Sequence, residues 1–258
     1  MNTRVGVPIA FDAEAWCLSG LRQWKQVDGH AVCVAPSGCG ADIMAVLSGV
    51  GRLNGLQAAR WLVQQGVKAL LSIGVAGALR PELKTGDLIV ADRIMEERYD
   101  EGYDQWELKL LFTKLAQTAL FTKGIRAGKG AIVSVKEPVS SSEGKRKLYM
   151  RSHALVSDME SGSVARTAEE ADLPILALRV VIDPFQRNVA QDLSDCLDRS
   201  GRISLPVLLK NLRRRPSLFP HLLMMTRDMA VALRTLSGAW RALRHTLPPI
   251  LLDTNFWS

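Results

Sequence analysis

The sequence predicts an α/β fold, a three-layer αβα domain around a mixed central sheet with a C-terminal basic helical extension, on three observations. Short apolar runs rich in β-branched residues recur at positions 5–9, 31–35, 43–47, 69–73, 87–91, 131–135 and 175–182, each with the length and composition of a buried strand. Helix-like segments separate several of these runs, and strands alternating with helices imply a layered sheet. From residue 199 the composition changes to Leu, Met and Arg broken by Pro206, Pro216 and Pro220, which reads as two or three short amphipathic helices. The division is therefore a first unit over residues 1–198 and an extension over residues 199–258.

Taken in order, the strand at 5–9 leads into Glu14, and the strands at 31–35 and 43–47 end at the turn Ser48-Gly49-Val50-Gly51. Residues 52–65 carry Leu53, Leu56, Ala59, Leu62 and Val63 at near-helical spacing and stop at Gly66, a suitable residue just past a helix. The strand at 69–73 runs into a second glycine loop, Gly74-Val75-Ala76-Gly77. Lys84-Thr85-Gly86 is the turn entering the strand at 87–91; it resembles a β-lactamase signature but lacks the companion motifs. A helix is expected around residues 106–120. A further helix begins near Asp158, carries Val164, Ala165, Ala168 and Ala171 on one face and ends before Pro174, where the last core strand starts.

The chain of 258 residues is 47% hydrophobic, enough to bury one large core. The net charge of +7 suggests a nucleic-acid partner until it is divided along the chain. Residues 199–258 hold ten Lys or Arg against Asp228 and Asp253 alone, so the extension carries the whole positive excess and no nucleic acid is expected. Cys17, Cys33, Cys39 and Cys196 have neither metal-ligand spacing nor the density of a disulfide scaffold, which points to the cytoplasm. Asp12 and Glu14 come too early for a signal peptide, and no stretch offers about 18 uninterrupted apolar residues. The four histidines form no metal-ligand pattern.

In layered α/β sheets ligands bind at strand ends, which directs attention to the loops after residues 47, 73, 135 and 182. The Ser48, Gly49 and Gly51 turn could face a sugar hydroxyl or an anion at a helix N-terminus, or could simply pack a strand closely on a helix. Gly74 and Gly77 carry the same two readings. Asp158 suits a helix cap, whereas Glu160 suits a bidentate acceptor of two vicinal sugar hydroxyls, with Met159 flat against the ring. Asp183 stands at the end of an apolar strand, where burial raises a carboxyl pKa and makes a proton donor; as Asp-Pro it also suits a plain turn. Glu14 either orients a water or is an exposed carboxylate early in a helix.

Taken together, the stretches SGVG, SIGVAGALRPELKTGDLIVAD, VSDMESGSVA and LPILALRVVID resemble the methylthioadenosine and adenosylhomocysteine nucleosidases and their phosphorylase relatives, over roughly residues 4–190. That resemblance implies a phosphorylase/hydrolase-like domain, commonly dimeric, that cleaves the N-glycosidic bond of a purine nucleoside. It implies no metal or cofactor, with inorganic phosphate as co-substrate only if the reaction is phosphorolytic. Residue by residue, Glu14 matches the carboxylate that activates the attacking water, Asp183 the acid at purine N7, and Met159 and Glu160 the ribose contacts. The segment 134–139 would lie beside the base, with Val139 a candidate contact and Pro138 standing where the family usually stacks an aromatic ring.

A narrower resemblance is carried by KEPVSSSEGKRKLYMRSHALVSDMES and the Arg- and Leu-rich extension. Both look like the hopanoid-associated phosphorylases, associated with removal of adenine from adenosylhopane. It implies an adenine nucleoside with a bulky apolar 5′ substituent, met at the inner face of the membrane through residues 199–247. The alternative is that Leu208, Leu212, Leu222, Leu223, Met225 and Leu233 pack on the core or on a second subunit. Alternative functions are a nucleosidase or purine phosphorylase for soluble nucleosides, and a binding module without catalysis. Retention of Glu14, Glu160 and Asp183 together speaks against the last. As for the nucleophile, bacterial purine phosphorylases carry an arginine just before the glycine loop where this chain has Ser72, and a Glu14 carboxylate would repel phosphate. Water is therefore favoured, with Arg52 the candidate for a phosphate if there is one.

Overall fold

A computed structural model describes residues 3–100, 102–187, 218–246 and 251–252. Ten strands form one mixed sheet: β1 (Arg4–Ile9), β2 (Lys25–Val27), β3 (His30–Pro36), β4 (Asp42–Leu47), β5 (Ala69–Ala78), β6 (Leu88–Glu97), β7 (Tyr103–Glu107), β8 (Ala127–Ser134), β9 (Val156–Asp158) and β10 (Ile175–Asp183). Its order is β10-β6-β8-β9-β5-β1-β4-β3-β2, with β7 on β6. Because β10 also pairs with β5, five strands close into a ring, from β5 through β10, β6, β8 and β9 back to β5. The pairs β1/β4, β1/β5, β10/β5, β6/β8 and β8/β9 are parallel.

Helices cover both faces. On one side α2 (Arg52–Gln64) and α5 (Ser161–Glu170) pack through Ala58, Ala59, Leu62, Val164 and Ala168. On the other, α1 (Asp12–Cys17), α3 (Leu110–Phe121) and α6 (Leu218–Leu243) bury Ala15, Phe112, Leu120, Leu236 and Trp240 against β1, β5 and β10. The remaining helix, α4 (Ser142–Ser152), is capped by Ser141, whose hydroxyl accepts from the Gly144 amide. The three-layer expectation is met.

All seven expected strands and the helices at 52–65 and near 158 are present. Two differences have physical causes. The strands expected at 69–73 and 87–91 run on to Ala78 and Glu97, because closing the ring demands partners for their C-terminal halves. The helix expected around residues 106–120 begins only at Leu110. Trp106 lies instead on β7, paired with Ile94, and its indole donates to Glu169 Oε2 at 2.7 Å; tertiary pairing overrides the local helical pattern.

Within the extension, α6 belongs to the main core from Ala232 to Leu243, with the Trp240 indole donating to the Ser19 carbonyl at 2.8 Å. Burying Leu236 and Leu243 there contributes about 1.5–3 kcal/mol each. Core packing thus accounts for this stretch, including half-buried Leu233, while Leu223 and Met224 are exposed. Leu208 and Leu212 lie outside the described residues. No described helix is long and apolar enough to cross a membrane.

Candidate active site

The C-terminal ends of β1 and β4 and the middle of β5 and of β10 border an open cleft lined by Glu14, Ser48, Ser72, Gly74, Glu160 and Arg179 among others. This is the edge at which a layered sheet binds ligands.

Glu14 reaches it from α1, the short helix that follows β1. Its side chain is 2% exposed, and its two oxygens accept from the amides of Val75 (2.9 Å) and Ala10 (3.2 Å). Burial outweighs those bonds and the Arg179 charge and pushes its pKa up to about 7, so this carboxylate can take up a proton near neutrality. The exposed-carboxylate alternative is excluded by that burial.

Glu160 enters from the start of α5. Its Oε1 accepts from the Gly51 amide at 2.6 Å, so the glycine turn after β4 grips the carboxylate. Gly49 and Gly51 hold φ of +85° and +104°, a left-handed region where a side chain would be strained. Ser48 Oγ lies within bonding distance of the carbonyls of Ile9 and Gly49. Burial first, then the nearby Asp158 charge, raise the Glu160 pKa. Met159 is half-buried in the cluster that also holds Val139 and Leu148, beside a smaller depression lined by Arg52, Glu96, Val135 and Lys136. Pro138 is exposed.

Asp158 takes the capping reading and more. Its oxygens accept from the Ser161 amide (3.1 Å), the Ser161 hydroxyl (2.9 Å) and the Ser134 hydroxyl (2.5 Å), and it pairs with buried Arg179 at 2.6 Å. Arg179 also donates to the carbonyl of Leu178 and to Ser72 Oγ, both at 2.8 Å. The reading of motifs missed this arginine. Its signal was present, since a lone arginine inside the apolar run ILALRVVID must find a buried partner.

Asp183 ends β10, its register partner being Gly77 of β5. It lies just outside the lining of the cleft proper. Gly74 lies against Glu14 and Gly77 against Asp183, so β5 meets the two carboxyls at positions three residues apart along the strand. Burial raises the Asp183 pKa against the pull of Lys145. Its Oδ2 lies 2.6 Å from Lys145 Nζ, while Oδ1 is buried without a partner among the described residues.

Arg52 is engaged elsewhere. Its guanidinium pairs with buried Glu96 at 3.1 Å and donates to the Glu97 carbonyl, and it borders the smaller depression rather than the Glu14 cleft. A second residue missed in the sequence is Gly55, where a Cβ would stand 3.3 Å from Glu160 Cβ; the glycine lets α2 approach the start of α5. Among the described residues no three His, Cys, Asp or Glu are grouped so as to hold a metal ion.

Comparisons with known proteins bear on the fold and the family. The aminodeoxyfutalosine nucleosidase of Campylobacter jejuni is 26% identical over 184 residues, covering 66% of this chain and 80% of the relative. The 5′-methylthioadenosine/S-adenosylhomocysteine nucleosidase of Buchnera aphidicola is 25% identical over 228 residues, covering 82% and 90%. Among solved structures, the nucleosidase of that name from Neisseria meningitidis, in complex with methylthio-immucillin-A, superposes with a TM-score of 0.68 at 18% identity, covering 94% of this chain and all of that one. The family model of the phosphorylase superfamily matches residues 25–205. With well over half of its length inside that match, the chain belongs to the phosphorylase superfamily.

Proposed function

We propose that this protein hydrolyses the N-glycosidic bond of an adenine nucleoside, with water as nucleophile. The observation that carries the reading is Glu14, a buried carboxylate facing the cleft with a pKa pushed up to about 7. Placed beside C1′ of a bound ribose, it would take the proton of the attacking water. Glu160 would accept the ribose hydroxyls and stabilise the cationic sugar that develops as the bond breaks. Asp183 would give its proton to purine N7, so that the base leaves neutral.

Two features favour water over phosphate. The cleft holds two carboxylates, which repel an anion, and its buried cation, Arg179, is already paired with Asp158. Arg52, the other candidate for an anion, is committed to Glu96.

The adenine preference is supported by the Buchnera aphidicola relative, which is named for 5′-methylthioadenosine and S-adenosylhomocysteine. The finer assignment, a bulky apolar 5′ substituent such as that of adenosylhopane, rests on the resemblance of the segment 136–161 and of the basic extension. A homodimer meeting its substrate at an anionic membrane surface belongs to the same proposal, and exposed Leu223 and Met224 of α6 are the described residues suited to that contact.

The test is adenine release from adenosylhopane and from 5′-methylthioadenosine by the intact protein. Release by the wild type, abolished in Asp183→Asn with folding retained, is expected. Release that survives in that variant would refute the role given to Asp183. No release from either substrate would favour a binding module.

A further inference from the structure

α4 is a strongly charged helix, SEGKRKLYMRS, yet one of its lysines is turned inward. Lys145 is 1% exposed and ranks among the largest fully buried side chains. A buried ammonium is costly unless each of its three N–H groups finds an acceptor. Here all three do: Asp183 Oδ2 at 2.6 Å, the Pro184 carbonyl at 2.9 Å and the Arg187 carbonyl at 3.3 Å. The ammonium therefore clamps the carboxyl and the turn Pro184–Arg187 that follows it. The other Asp183 oxygen, Oδ1, is buried and has no hydrogen-bond partner among the described residues.

We propose that Lys145 is a positioning residue for the proton donor Asp183, pinning Oδ2 so that the transferable proton sits on Oδ1. The proposal rests on the nucleosidase reading above. In that reaction the Oδ1–H bond breaks and an N7–H bond forms, while the glycosidic electron pair moves onto the purine. Water oxygen bonds C1′ and its proton passes to Glu14. Asp183 acquires a negative charge as its proton leaves, and the ammonium 2.6 Å from Oδ2 stabilises that charge as it develops. Burial raises the Asp183 pKa and Lys145 lowers it, so the two act on the acid in opposite directions.

Among the described residues, the charged groups that act on Asp183 are Lys145 from α4, Arg187 from the segment after β10 and Asp228 from α6. Arg187 and Asp228 are paired with each other, which leaves Lys145 the cation whose charge is directed at the acid.

The experiment compares wild type, Lys145→Met, Lys145→Arg and Asp183→Asn in three readouts. Carboxyl-carbon NMR titration follows Asp183 without any substrate; it is expected to titrate at higher pH in Lys145→Met, with partial return in Lys145→Arg. Adenine release should fall at least tenfold in Lys145→Met, with its alkaline limb moved to higher pH. Cleavage of a p-nitrophenyl riboside, whose leaving group needs no protonation, should change less than threefold. Adding Lys145→Met to Asp183→Asn should leave cleavage of the p-nitrophenyl riboside at the rate of Asp183→Asn alone.

An unmoved Asp183 titration, or equal loss on both substrates, would overturn the assignment. If Lys145→Met does not fold, the Lys145→Arg titration and its ratio of activities on the two substrates decide in the same way. Absence of adenine release by the wild type, with p-nitrophenyl riboside still cleaved, would instead overturn the purine reading on which the proposal rests.

Discussion

A Cβ placed on Gly74 would lie 2.6 Å from Glu14 Oε1, the oxygen that also accepts from the Val75 amide at 2.9 Å. The glycine is clearance for a buried carboxylate rather than a residue chosen for a turn. Gly74→Ala must push Glu14 off those amides, since a buried carboxylate with fixed donors has little room to yield. We expect turnover at least tenfold lower and a stability loss of about 1–3 kcal/mol. At Gly77 the added methyl would meet only ordinary contacts, the nearest at 3.5 Å, so Gly77→Ala should melt close to the wild type. Thermal melts and kcat for the two variants check this pair of outcomes.

Glu14 must be ionised to act as a base, and its pKa is raised to about 7. The acidic limb of kcat/KM is therefore expected near pH 7, the rate falling as the carboxylate protonates.

The same shift has a signed effect on stability. With the folded pKa above the unfolded one, the group costs nothing below about pH 4.5 and its full penalty above about pH 7. Glu14→Gln should thus gain stability relative to wild type by about 2–3 kcal/mol between pH 5 and pH 8, while losing turnover. Urea unfolding at the two pH values measures it, and a pH-independent difference would contradict the burial argument.

Glu160 is held by the Gly51 amide through one oxygen, which leaves the carboxylate oriented toward the cleft. Removing the charge in Glu160→Gln should lower kcat/KM about 10- to 100-fold, the worth of a charge-assisted hydrogen bond. Steady-state kinetics on an adenine nucleoside test it; an unchanged kcat/KM would exclude a ribose contact.

Arg179 and Asp158 form a buried pair at 2.6 Å. Breaking it from one side leaves an uncompensated charge, so Arg179→Met and Asp158→Asn should each cost about 3–5 kcal/mol. Their combination should cost less than the sum, because the second substitution removes the stranded partner. Chemical denaturation of the three variants provides the cycle.

Much of this architecture was legible in the sequence because it is written in local pattern. Buried strands such as 43–47 and 175–182 are uniformly apolar, and the helix at 52–64 carries both its spacing and its Gly66 stop. What escaped depends on partners distant in the chain. Trp106 reads as helical alone and becomes a strand only because β6 offers it Ile94. Gly55 looks like a weak point in a helix until Glu160, 105 residues away, is seen against it. Glu14, Glu160 and Asp183 could be named as candidates, but not their arrangement. That the turn after β4 grips Glu160 through the Gly51 amide, and that Lys145 clamps Asp183, are facts of packing. The lysine stands between the charged residues Glu143, Arg146 and Lys147, with nothing local to mark it as buried.

The most direct test of the account is to supply the wild-type protein with adenosylhopane, and separately 5′-methylthioadenosine, in ¹⁸O-labelled water, with and without inorganic phosphate, and to weigh the sugar product. The account predicts a free sugar carrying one ¹⁸O at C1, formed at the same rate in both buffers. A sugar 1-phosphate formed only when phosphate is present would contradict it, and would remove Glu14 from the role of base.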